Sequence, residues 1–177
     1  MDWIAPFSTL LAALGGYALA GWNDARRDER ASKREEAAEA RARDARRRDF
    51  QLQTLLELQN EARRLAQAAL DVHIFHLAAG DDADPVEARV WGEHRARASG
   101  FELLLGRVVD DGLRQQGRKF IDACTDLADT RRKRADTDEE TARIDRVVTA
   151  AAAIETATME AIGAAIRREL AQGATPA

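Results

Sequence analysis

Residues 50–79 read FQLQTLLELQNEARRLAQAALDVHIFHLAA, and this stretch decides the fold. Leu55, Leu58, Ala62, Leu65, Ala69, Val72 and His76 recur in alternating three- and four-residue steps, the spacing of one face of a helix. Leu52, Leu56, Leu70, Ile74 and Leu77 widen the stripe. A helix so patterned must bury that face against other helices.

Upstream the pattern changes, although residues 23–79 contain neither Gly nor Pro. Residues 24–49 hold ten basic and eight acidic side chains, a net +2. Their apolar members are all alanines: Ala25, Ala31, Ala37, Ala38, Ala40, Ala42 and Ala45. A helix polar all round is held by charge pairs or by a partner. The sequence therefore predicts a charged helical arm over 24–49.

Before the arm, residues 3–22 carry no charge. A helix of about 20 residues spans roughly 30 Å, the hydrocarbon thickness of a bilayer. Trp3 and Trp22 bracket the run at the depth where indoles favour the headgroup region. Ala18-Leu19-Ala20 resembles a signal-peptidase site, but Asp2 is the only charge before the run. The basic residues Arg26, Arg27, Arg30, Lys33 and Arg34 follow it, which predicts an uncleaved span with its N-terminus outside and the bulk of the chain cytoplasmic. An interfacial helix needs a charged face, which this run lacks. Ala12, Gly16 and Ala20 share a face at four-residue spacing and form a candidate dimer contact within the span.

Downstream, Gly80 to Pro85 reads as a stop followed by a start, with Asp84 a cap and Pro85 in the first turn. A second helix is expected from Pro85 to about Val109, with Val86, Val90, Phe101, Leu104, Leu105 and Val108 inward. Asp110-Asp111-Gly112 breaks the chain and caps a third helix carrying Leu113, Phe120, Cys124 and Leu127 on one face. That helix is read as ending in Arg131-Arg132-Lys133-Arg134. Thr137 and Glu140 form a capping box for a fourth helix to about Leu170. Its stripe is Ile144, Val147, Ala151, Ile154, Ala161 and Ala165, flanked by Val148, Met159, Ile162, Ile166 and Leu170.

The fold class is all-α: an anchor over 1–23, an arm over 24–49, an antiparallel four-helix bundle over 50–171 and a frayed tail over 172–177. The alternative is three long helices with 85–134 continuous. In that arrangement the basic run at 131–134 folds back beside residues 30–36 and touches anionic headgroups. In the bundle it lies beyond an arm of about 39 Å, far outside the 8–10 Å reach of surface attraction.

Chemistry-bearing groups are sparse. Charged residues make up 33% of the chain and aromatics 5%, a balance that favours long helices. Arg outnumbers Lys 24 to 3, which reads as the codon usage of a GC-rich genome. Cys124 is the lone cysteine, so no intrachain disulfide forms, in keeping with a cytoplasmic side. His73, His76 and His94 lack the Glu-x-x-His repeats of a di-iron bundle, and histidines at a helix C-terminus suit its dipole. No glycine loop precedes a Lys-Ser or Lys-Thr. Arg46-Arg47-Arg48 and the run at 131–134 suggest nucleic acid, yet residues 50–177 sum to −5, unlike a basic duplex-binding face. No catalytic, cofactor-binding or metal residue is assigned, and no cofactor or nucleic-acid partner is expected. The membrane-interface residues are Trp3, Trp22, Arg26, Arg27 and Arg30.

The layout of span, arm and helix bearing Leu55-Leu56-Glu57-Leu58-Gln59, followed by Arg107-Val108-Val109-Asp110-Asp111-Gly112-Leu113-Arg114, carries a resemblance. The chain resembles small single-span, membrane-anchored coiled-coil proteins of high-GC Gram-positive bacteria and their phages. That resemblance implies no catalytic or binding residue. The expected role is a non-enzymatic anchored scaffold or protein-interaction module, with the bilayer and a protein as partners and homo-oligomerisation through span or arm. The alternatives are a phage or prophage membrane effector, in lysis or superinfection exclusion, and a metal-binding or enzymatic helical bundle.

Overall fold

The computed structural model describes residues 4–79, 85–130 and 138–174; the side chains of residues 4–21, 23–25, 79, 85 and 174 lie outside that description. Four helices and no strand occur among the described residues: α1 (Ile4–Ala79), α2 (Pro85–Leu105), α3 (Asp111–Asp129) and α4 (Asp138–Ala174). The chain divides into two units, Met1–Arg47 and Arg48–Ala177.

In the N-terminal unit, the described side chains of the arm are exposed apart from half-buried Ala37 and Ala45. Local pairs support it. Lys33 Nζ donates to Glu29 Oε1 at 2.6 Å, Ser32 Oγ lies 3.4 Å from Glu36 Oε1, and Arg46 Nε donates to the Ala42 carbonyl at 3.1 Å.

The second unit encloses one core. All seven residues of the stripe from Leu55 to His76 are buried. Fully burying an aliphatic side chain contributes roughly 1.5–3 kcal/mol, so this face drives assembly. Phe101 of α2 meets Phe120 of α3 edge-on, with centroids 5.5 Å apart. Gln51 Nε2 donates to the Arg107 carbonyl beyond the end of α2, while His76 lies beside Glu87 at its start, so α2 runs antiparallel to this half of α1. Gly117 of α3 lies against Leu105 of α2. A Cβ there would stand 2.4 Å from Leu105 Cδ2, so glycine is what lets the two helices approach.

The segment over 85–130 is two helices. α2 closes at Leu105, four residues short of the expected end. Arg107 and Val108 donate to the carbonyls of Leu104 and Leu105 at 3.0 and 3.1 Å, tightening the last turn. Val108 is still buried after the helix has ended. Asp110 caps α3 by accepting from the Leu113 amide at 3.0 Å, and Arg168 of α4 donates to its other oxygen at 2.9 Å. α3 ends at Asp129, where the Thr130 amide bonds the Leu127 carbonyl and its hydroxyl bonds that of Asp126. The helix therefore stops before the basic run, and residues 131–134 lie outside the described residues, as do residues 80–84 and the Thr137 cap. α4 continues through 172–174, where fraying was expected.

The flanks of the expected stripes are corrected. Leu56, Leu70, Ile74 and Leu77 are exposed rather than inward, as are Val86, Val148 and Leu170. One helix face about 100° wide suffices to meet its neighbours, and residues beside it are left over. On α4, Ile162 and Ala165 are buried, while Ile144, Val147, Ala151, Ile154, Met159, Ala161 and Ile166 are half-buried.

Candidate functional site

Of the membrane-interface residues, Trp22 is exposed, and Arg26, one turn on, stacks its guanidinium carbon 4.1 Å from the indole centroid. Such stacking contributes about 0.5–1 kcal/mol at an exposed site. Arg27 and Arg30 are exposed on the adjoining turns. Trp3 lies outside the described residues. Ala12, Gly16 and Ala20 fall within the α1 backbone, but their side chains are not described.

Among the described residues, α4 over Asp138–Gly173 is long and apolar enough to cross a membrane, by length and composition only. The same helix contributes Thr158, Ile162 and Ala165 to the core.

The three histidines are buried on α1 and α2, with His94 beside Cys124 and Asp129 of α3. His73, His76 and His94 are 4%, 8% and 2% exposed. Trp91 of α2 lies between two of them, its ring centroid 6.1 Å from that of His76 and 5.6 Å from that of His94. At His76, Nε2 is 3.4 Å from the Trp91 indole Nε1 and 3.3 Å from Glu87 Oε1. Nδ1 of His73 and Nδ1 of His76 are buried without a hydrogen-bond partner, and the His94 ring nitrogens lie buried beside the Cys124 backbone. Burial holds His94 below the ordinary imidazole range. The Asp129 carboxylate and the Cys124 backbone oppose that shift, and Arg95 adds to it. No group of three His, Cys, Asp or Glu residues among those described is placed to hold a metal ion.

His94 and Trp91 were not among the residues expected inward. The signal was present: Val90, His94, Ala98, Phe101, Leu105 and Val108 continue one helical stripe, with the polarity of imidazole masking its second position from view.

Cys124 is buried, as its place on the α3 stripe predicts. Burial pushes its thiol up to about 12, with the Glu155 carboxylate adding to the shift, so it stays protonated at neutral pH. It lines a groove of about 320 Å³ between α1, α3 and α4, with Leu70, Phe120, Leu127, Val148 and Ala152. Ala151 and Ala152 are the α4 members of that lining closest to its middle in sequence, between Val148 and Glu155. A second groove of about 300 Å³ runs between α3 and α4 beside Lys119, Asp122 and Ile154.

The chain matches no family model, no curated protein and no solved structure.

Proposed function

We propose that this chain is a non-enzymatic, membrane-anchored scaffold of the kind its layout resembles. An N-terminal span places an arm and an antiparallel four-helix bundle on the cytoplasmic face, where the bundle recruits a protein partner. The observation that carries the interaction role is the set of exposed large apolar residues on α1. Leu56, Leu70, Ile74 and Leu77 are 46%, 39%, 52% and 43% exposed on a helix whose opposite face is already satisfied by the core. Leu70, Ile74 and Leu77 follow one another at four- and three-residue spacing, and exposed apolar side chains on neighbouring turns mark contact sites in soluble domains. The anchor rests on the uncharged run over 3–22, on the basic residues after it, and on the Arg26–Trp22 stack.

A membrane-effector reading draws on the apolar length of α4. It is the weaker reading. Insertion would carry Glu155 and Glu160 into hydrocarbon, each at a cost comparable to the roughly 2.5–3.5 kcal/mol for an acidic or basic residue at the bilayer centre. It would also withdraw Ile162 and Ala165 from the core.

Two measurements test the scaffold reading. A reporter fused after Ala177 should work only if it needs the cytoplasm; activity of a secretion-dependent reporter there refutes the orientation. A photo-crosslinker at Ile74 in native membranes should trap one recurrent protein adduct, which Leu70→Arg abolishes without changing the circular dichroism. Equal crosslinking in that variant refutes the α1 surface.

A further inference from the structure

Arg27, Arg34 and Arg41 recur every seven residues along the arm of α1, and so do Ala31, Ala38 and Ala45. At 3.6 residues per turn these six, together with Arg30, share a sector of the helix about 100° wide. No acidic residue between 26 and 48 falls within that sector. The acids of the arm lie elsewhere around the helix: Asp28, Glu35 and Glu39 to one side, Asp44 to the other, Glu29 and Glu36 opposite. Arg30 and Arg34 have no carboxylate three or four residues away in either direction, the spacing at which helical charges pair. All four arginines are exposed. The side-chain bonds described from Arg26 to Arg47 belong to other residues: Lys33 with Glu29, Ser32 with Glu36, and Arg46 with the Ala42 carbonyl. Among the described residues, Arg27, Arg30, Arg34 and Arg41 make no hydrogen bond or ion pair. We propose that this sector is a docking surface for an acidic helix of a partner protein, which packs along the three alanines and sets its carboxylates against the four arginines.

A seven-residue repeat is the spacing of a coiled-coil seam. Alanine lets two helix backbones approach closely, and the planar fork of arginine meets a carboxylate with two N–H donors. The width of the sector selects the occupant. A helix about 10–12 Å across covers it and leaves Asp28, Glu35 and Asp44 on its flanks. A nucleic-acid duplex is broader and would set phosphates against those carboxylates. A second copy presenting the same sector would set arginine on arginine. Anionic lipid at the depth of Trp22 would meet Arg27 and Arg30. Arg41, however, stands about 28 Å beyond Trp22 along the same unbroken helix, outside the roughly 8–10 Å reach of surface attraction. The contact is separate from the apolar surface around Ile74 and does not depend on it.

The test uses the full chain in detergent micelles and two synthetic helical peptides of about four heptads, labelled for fluorescence anisotropy. One peptide carries an alanine seam flanked by glutamates. The other has the same composition with its glutamates on the face away from the seam. The first should bind, and more weakly as salt rises; the second should not bind at the same concentrations. Replacing three arginines of the sector together, Arg27→Gln, Arg34→Gln and Arg41→Gln, should weaken binding about tenfold. A second triple variant, Arg43→Gln, Arg46→Gln and Arg47→Gln, removes the same charge from the other faces and should change binding by less than about twofold. Glutamine is a helix former comparable to arginine, so the arm stays helical in both. Equal losses in the two triple variants overturn the docking surface, because net charge alone would then hold the peptide. Equal binding of the two peptides overturns it as well. Tighter binding of a duplex oligonucleotide that the first triple variant loses overturns the acidic helix as occupant. An oligomer of the chain alone that the first triple variant dissolves does the same, since the sector would then belong to a second copy.

Discussion

Residues 24–49 and 50–79 belong to one helix, α1, but different forces hold them. The first half has alanines as its only apolar side chains; up to Arg47 its described contacts are local surface pairs such as Lys33–Glu29, whose side chains are 70% and 62% exposed, while Arg48 at its end donates to the Gln172 carbonyl of α4 at 2.9 Å. The second half buries ten positions, six of them in the apolar core that α2, α3 and α4 complete. The backbone is the same, and so is the absence of Gly and Pro. The difference shows that helicity is a weak specification, and that what fixes a helix in place is the apolar stripe it presents.

The strongest way to break the comparison is to put a charge into the same helix on each side of Phe50. Leu65 is fully buried, so Leu65→Asp leaves an unpaired carboxylate in the core and should cost about 3–5 kcal/mol, enough to unfold the second unit. Ala38→Asp, at an exposed position of the arm, should change stability by less than about 0.5 kcal/mol. Thermal melts by circular dichroism check both. Equal effects would mean that the arm is packed as tightly as the core half.

A smaller effect is expected where the core helices come closest. Gly117→Ala drives a Cβ into Leu105, whose Cδ1 and Cδ2 would lie 2.7 and 2.4 Å away. Overpacking of this kind should cost about 1–3 kcal/mol, and Leu105→Ala in the same chain should recover part of it. Chemical denaturation of the two single variants and the double variant measures the coupling. Additive losses would show that α2 and α3 do not press on one another at Gly117.

Acid should distinguish the halves in a third way. The folded unit holds His94 below its unfolded value, so the unfolded state binds more protons as pH falls from about 6.5. The stability from neutral, buried His94 is complete above that point. It is lost as pH falls through the lowered folded value. The pH dependence of the denaturation midpoint should therefore slope upward through this window, and His94→Gln should flatten it. The arm has no histidine, and its amide protection, corrected for the intrinsic pH dependence of exchange, should show no such slope.

The smallest effect belongs to the arm's own chemistry. Glu29→Gln removes the partner of Lys33 and should lower local helix stability by about 0.3–0.5 kcal/mol, as for exposed i,i+4 pairs. Amide exchange at residues 26–36 should quicken slightly in the variant, and high salt should erase the difference. An effect as large as that of Gly117→Ala would mean that the pair is buried by a partner.

The sequence by itself determined the helical character, the change at Phe50, the buried face of α1 from Leu55 to His76, and the α3 face of Leu113, Phe120, Cys124 and Leu127. These follow from periodicity, because a clean 3.6-residue stripe has one way to be buried. It also determined the Asp110 cap, since a short carboxylate before a new stripe has a local hydrogen bond to make. Tertiary structure alone decided the rest. Whether Leu56, Leu70, Ile74 and Leu77 would be covered depended on how wide a face the neighbouring helices occupy, and they occupy less than the full stripe. How closely α2 and α3 approach depended on Gly117 meeting Leu105. The meeting of His76, Glu87 and Trp91 joins residues from two helices, and periodicity on either one carries no information about the other. That contact depends on register between helices, which packing sets and spacing along a single chain does not encode.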